Sequence, residues 1–170
     1  MTGITRLRTM TTPLTSAQTV ADYILYFFQW KCDPINNYKL QKLLYYVQGW
    51  HLAEFDEPAF PDRIEAWISG PVCPEIFERY EQYTWRPISE ETQDPVGLSE
   101  RLTGLIDEVV DLYGFDTGWS LEYRVHREPP WLEARKGHDL LDTCSEEITH
   151  ESMARFFKAE LAAAKVEADS

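Results

Sequence analysis

The stretch from Asn36 to Leu52 constrains the fold more than any other, because on a helix its apolar surface extends well beyond a single stripe. Leu40, Leu43, Leu44 and Val47 form its main stripe at helical spacing. Tyr45, Tyr46, Trp50 and Leu52 widen the apolar surface well beyond that stripe. A helix apolar over so much of its circumference must be enclosed by other elements. Asn36 stands where its side chain can cap the first free N–H groups. Gly49 inside the helix costs about 1 kcal/mol relative to Ala, so its presence points to close approach by a neighbouring element.

The remaining segments supply the enclosure. Ser16 caps a first helix whose inner face is Ala17, Val20, Ala21, Ile24, Leu25 and Phe28, ended by Asp33-Pro34. Residues 63–68 alternate, with Ile64, Ala66 and Ile68 on one side, and Ser69-Gly70-Pro71 turns them. Pro74 opens a third helix with Ile76, Phe77, Tyr80 and Tyr83 inward. Residues 86–97 form a polar, acidic loop, the stretch expected to be most mobile. Ser99 caps a fourth helix with a face of Leu102, Leu105, Ile106, Val109, Val110 and Tyr113, closed by Gly114 as a left-handed C′ residue. Thr117 caps a short fifth helix through Arg127, Pro129-Pro130 stops it, and residues 131–136 add a turn or two. Thr149 begins the last helix, with Met153, Phe156, Phe157 and Leu161 inward.

The expectation is a mainly α, compact single domain of five to six helices with a short extended element near residues 62–70; a small hairpin or three-stranded β element stays open there. Residues 1–12 read as a flexible leader, 13–162 as the domain and 163–170 as a frayed tail. Residues 1–9 are polar and weakly basic, without the apolar run of a signal peptide, and Met10 is a candidate natural start.

The formal net charge is −13. Phosphate binding needs clustered Lys and Arg, so nucleic acid is a disfavoured partner, and an anionic membrane surface equally so. The charge suits a basic protein partner, whose approach the field would accelerate; the alternative is that acidity only keeps the chain soluble. Six Trp, nine Tyr and eight Phe supply core or interface material without metal or disulfide help. Cys32, Cys73 and Cys144 cannot all pair within one chain and match no zinc spacing, which reads as reduced thiols and a cytoplasmic location. The oligomeric state stays open.

Three stretches resemble the signature blocks of the Panacea domain, found in SocA-like antitoxins and phage-associated proteins. Residues 36–50 are similar to the family pattern N-x-x-K-L-Q-K-L-L-Y-Y-x-Q-G-W, carrying Lys39, Gln41, Lys42, Tyr45 and Trp50. Residues 64–74 resemble I-E-A-W-x-x-G-P-V-x-P, carrying Trp67, Gly70, Pro71 and Val72. Residues 121–131 resemble L-S-x-L-T-H-x-E-x-P-W, retaining His126, Glu128, Pro130 and Trp131. Here Glu122, Arg124 and Val125 depart from the usual Ser, Leu and Thr, so the hydrogen bonding around His126 is expected to differ. The resemblance covers roughly residues 16–157. It implies an antitoxin that neutralises a cognate protein toxin by direct contact, or, as in one branch, an adaptor that delivers the toxin to a AAA+ protease of the ClpXP type. It implies no cofactor and no catalysis.

His51, His126, His138 and His150 have no metal-binding spacing. His51 reads as a packed structural histidine. His126 reads as fixing the Pro-Pro-Trp corner through Glu128 or a backbone group, with partner contact as the alternative. Cys73 with His126 is a conceivable thiolate pair, but no glycine-rich oxyanion loop or third member accompanies it. Lys39 and Lys42 lie among apolar residues, so each either covers the stripe with its stem or makes a contact. Trp67 is expected to pack against another helix, with an interface anchor as the alternative. The motif residues Lys39, Gln41, Lys42, Tyr45, Trp50, Trp67, Gly70, Pro71, Val72, His126, Glu128 and Trp131 are the candidates for partner binding or architecture. The acidic residues 90–94 are a further candidate contact zone. A cysteine hydrolase and a DNA-binding autoregulator are the competing functions.

Overall fold

A computed structural model describes residues 15–170; the leader 1–12 and the candidate start Met10 lie outside the described residues. Helix α2 (Asn37–Phe55) is the axis of the domain. The Asn36 side chain accepts from the Lys39 N–H at 2.9 Å and satisfies one of the free donors of the first turn. From Leu40 to Gly49 every residue is buried, which follows from the breadth of the apolar surface. The helix ends at Asp56, whose left-handed backbone (φ 56°) turns the chain away.

Four helices and a hairpin enclose this axis: α1 (Ala17–Trp30), α4 (Glu100–Tyr113), α5 (Gly118–Val125), α7 (His150–Ala168), and strands β1 (Glu65–Trp67) and β2 (Gly70–Val72). Ser16, Ser99, Thr117 and Thr149 each cap the helix that follows, as their positions predict. α7 makes the most extensive contact with α2, and Gly49 permits it: a Cβ there would lie 2.0 Å from Phe157 Cε2.

The extended segment is shorter than residues 63–68 and is a hairpin. Ala66 faces Pro71 in antiparallel register, and Gly70 takes φ 107° at the turn. The chain before α7 adds to the other edge of β1: Ala66 N–H donates to Glu146 O at 2.9 Å and Ile148 N–H to Ile64 O at 2.8 Å. Helix α3 (Pro74–Arg79) follows, opened by Pro74, and a 3-10 turn (Glu81–Tyr83) carries Tyr83 beyond its end.

Several boundaries differ from the sequence reading. α1 stops at Trp30, ahead of Asp33-Pro34, because Cys32 takes φ 56° and reverses the backbone. Gly114 is right-handed (φ −65°) and not a left-handed C′ residue; it fits because a Cβ would meet Val110 O at 2.3 Å. α5 ends at Val125, and Pro129-Pro130 open a separate helix α6 (Pro129–Ala134), where the missing proline N–H is not needed. This division brings the described residues to seven α-helices. Residues 163–168, read as part of the tail, continue α7 with exposed side chains. The loop 86–97 has no regular structure, yet Ile88 is buried and donates to Ile35 O at 2.9 Å, and Gln29 bonds both Glu90 O and Thr92 N–H. Among the described residues no helix is long and apolar enough to cross a membrane.

Candidate functional site

The three motif stretches meet inside the domain, where α2, the hairpin and the α5–α6 corner join. Gln41 and Gln48 are two turns apart on α2 and use their amides on backbone. Gln41 Oε1 accepts from Cys73 N–H at 2.8 Å, while its Nε2 donates to Asn37 Oδ1, whose Nδ2 in turn donates to Phe77 O. Gln48 Oε1 accepts from Ala59 N–H at 2.7 Å and its Nε2 donates to Phe60 O. Both residues thus fix the chain on either side of the hairpin, and both amides are satisfied, as burial requires.

Glu128 is buried and accepts from the phenols of Tyr45 and Tyr46, each at 2.9 Å. Burial pushes its carboxyl above the ordinary value of 4.5, and the two tyrosine bonds only partly oppose this. Burial and the neighbouring carboxylate raise both phenols above their ordinary value, so they remain donors. The network continues outward: Tyr46 stacks on Tyr113 at 3.8 Å, and Trp50 Nε1 donates to Tyr113 Oη at 3.0 Å. Glu128 therefore does not pair with His126. The His126 Nε2 donates to Ile68 O at 2.8 Å, the backbone alternative, and its ring lies 4.4 Å from that of Trp131.

Trp131 Nε1 donates to Trp67 O at 2.9 Å, so His126 and Trp131 together hold the hairpin turn against the α5–α6 corner. Arg135, one helical turn on, is buried without a carboxylate partner. It donates to Ala66 O and to the carbonyls of Asp139, Leu140 and Asp142, fixing the loop after α6. Lys42 is 1% exposed, and its ammonium has no acceptor among the described residues. It lies under Gly70, where a Cβ would come within 2.9 Å of both Lys42 Cε and Val125 Cγ2. Burial lowers its pKa to about 8, against the opposing field of Glu122.

Cys73 is buried, and burial pushes its thiol up to about 12, against thiolate formation. His51 is buried and donates to Glu57 O. Among the described residues no three His, Cys, Asp or Glu side chains are placed to hold a metal ion.

A groove of about 500 Å³ opens between the hairpin turn, α3 and the start of α2, with Tyr38, Trp67, Ile68 and Phe77 as walls. Glu122 stands on its rim and also lines a small cleft with Trp119, Tyr123 and His126. Trp119 is 78% exposed and Tyr123 57%.

Of the motif positions, Gln41, Lys42, Tyr45, Gly70, Pro71, Val72, Glu128 and Trp131 are buried, and Lys39, Trp50, Trp67 and His126 are half-buried. Lys39 donates to Gly114 O at 2.6 Å and tethers the end of α4. Sequence reading missed Arg135, whose partners are backbone carbonyls and leave no trace in spacing. It also missed Trp119 and Tyr123. Here a signal existed: Leu121 and Val125 mark the inner face of α5, so residues two positions away point outward.

A family model described as the antitoxin SocA-like Panacea domain matches residues 40–132. No curated protein and no solved structure matches the chain.

Proposed function

The chain belongs to the SocA-like antitoxin family that carries the Panacea domain, and on that premise we propose that it neutralises a cognate protein toxin by direct binding that occludes the toxin's active or substrate-binding face. The observation that carries this reading is the family match over residues 40–132, which takes in most of the first motif stretch and all of the other two. The geometry supports it. The motif groups Glu128, His126 and Gln41 are engaged in bonds to the protein itself, and Cys73, the conceivable nucleophile, is buried with a raised pKa. What reaches solvent is an aromatic surface beside a free carboxylate. Such surfaces serve recognition, because exposed tryptophan and tyrosine gain most when a partner removes them from water. The net charge of −13 favours a toxin with a basic face, such as one that handles RNA or nucleotides.

Coexpression with the product of the neighbouring gene tests the reading. Growth rescue with the toxin persisting in a stable complex is the expected result. Rescue with loss of the toxin would move the reading to proteolytic delivery; no rescue and no complex would end it.

A further inference from the structure

The geometry points to the groove beside the hairpin turn as the seat of an apolar toxin side chain flanked by lysine or arginine. This rests on the antitoxin reading above and names the surface that carries it.

The walls are preformed. Trp67 meets the edge of Phe77 with ring centroids 5.1 Å apart, and Tyr38 meets Phe77 at 5.8 Å, so the three rings hold one another in place. The indole N–H of Trp67 is bonded to Glu65 at 2.7 Å and asks nothing of a ligand. His126 and Trp131 hold the carbonyls of Ile68 and Trp67 from behind, so the turn presenting Ile68 is fixed. Ile68 itself is 42% exposed at the end of a strand whose neighbours are packed. A groove of about 500 Å³ accepts one or two large apolar side chains, within the usual size of a ligand pocket.

The charge around it selects the occupant. Among the described residues the Glu122 carboxylate makes no hydrogen bond and no ion pair, although its field reaches the buried Lys42 ammonium and the His126 ring. Glu122 sits between the groove and the exposed Trp119–Tyr123 face of α5. At the Ser145 end Arg63 already neutralises the carboxylates: it donates to Ser145 O at 2.7 Å and pairs with Glu65 at 3.2 Å and Glu147 at 4.0 Å, which leaves Glu122 as the lining carboxylate without an ion-pair partner among the described residues. A cationic group next to a buried apolar anchor would meet Glu122 at the edge of a low-dielectric surface, where pairing sets orientation and rejects acidic competitors. A second copy of this chain is a poor occupant, since docking would bring together two bodies of net charge −13.

The test titrates the purified, catalytically inactivated product of the neighbouring gene into the wild-type chain and three variants, with thermal melts confirming that each is folded. Ile68→Asp and Glu122→Lys should each weaken binding about ten-fold or more, the loss typical of an interface anchor. Val166→Asp, on the exposed end of α7, should leave it within about two-fold, as expected of a residue outside an interface. Reversing a lysine or arginine of the toxin to glutamate should recover binding by Glu122→Lys. Wild-type binding that Ile68→Asp and Glu122→Lys leave unchanged would overturn the groove and spare the antitoxin reading. Absence of wild-type binding would overturn both. Self-association of the wild type, abolished by Ile68→Asp, would place a second copy in the groove and overturn the assignment to the toxin.

Discussion

Phe157 of α7 lies directly on the backbone of Gly49 in α2, so close that a Cβ at Gly49 would fall 2.0 Å from its ring. Phe157 also meets Tyr45, Tyr46 and Trp50 edge-on, so the contact is the joint between the central helix and the last one. Intrinsic propensity favours Ala over Gly in a helix by about 1 kcal/mol. The clash reverses the sign: Gly49→Ala should destabilise by about 1–3 kcal/mol, the usual cost of overpacking. Urea melts of Gly49→Ala, Phe157→Leu and the double variant check this. The smaller side chain should recover part of the loss in the double variant.

Glu128 gives a second expectation with a defined pH dependence. Its folded pKa stands above its ordinary 4.5 because it is buried. The native state therefore holds its proton to higher pH than the unfolded chain, and this group costs stability as pH rises from its ordinary value through its folded one. Glu128→Gln removes that penalty while keeping an acceptor for the tyrosines. Subtracting its stability from that of the wild type between pH 4 and pH 7 should show the wild type losing ground as pH rises. Glu128→Ala should instead lose about 2–5 kcal/mol, since two buried phenols are left without an acceptor.

Lys42 behaves in the opposite sense. Its folded pKa is about 8 against an ordinary 10.5. Between those values the native chain holds fewer protons than the unfolded one, so stability from this group rises as pH climbs through the window. At pH 7 the buried ammonium is a liability, and Lys42→Met should be as stable as the wild type or more so. Melts at pH 7 and pH 9.5 should show the advantage of the variant shrinking at the higher pH. A large loss on Lys42→Met at pH 7 would mean that the ammonium has a partner.

How much of this was legible in the sequence depends on whether a feature is local. The enclosure of α2, the caps at Ser16, Asn36, Ser99, Thr117 and Thr149, and the close approach at Gly49 all follow from periodicity or from one residue's chemistry. Pro129-Pro130 reads in sequence as the stop of the fifth helix but opens α6, because proline both ends a helix and starts one, and only tertiary context decides. Glu128 stood out as a motif residue, but its partners are more than eighty positions away on α2, beyond any spacing rule. The groove has the same character: its walls come from α2, the hairpin, α3 and residues 143–145, with Glu122 from α5. No single stretch announces it.

Thiol reactivity separates a binding protein from a cysteine hydrolase. Cys32 is exposed, Cys73 and Cys144 are buried, and the Cys73 thiol is pushed up to about 12. A disulfide reagent at pH 8 should modify Cys32 quickly and reach the other two only on unfolding. Cys32→Ser should abolish the fast phase, and Cys73→Ala should retain full growth rescue. Loss of rescue by a folded Cys73→Ala would argue for a reactive thiol.

The most direct test of the central claim adds the purified chain to the active product of the neighbouring gene and follows that product's own activity. Direct occlusion predicts that activity falls to background at a fixed stoichiometric ratio, with the toxin intact and recovered in the complex. Undiminished toxin activity in the presence of excess folded chain would contradict it.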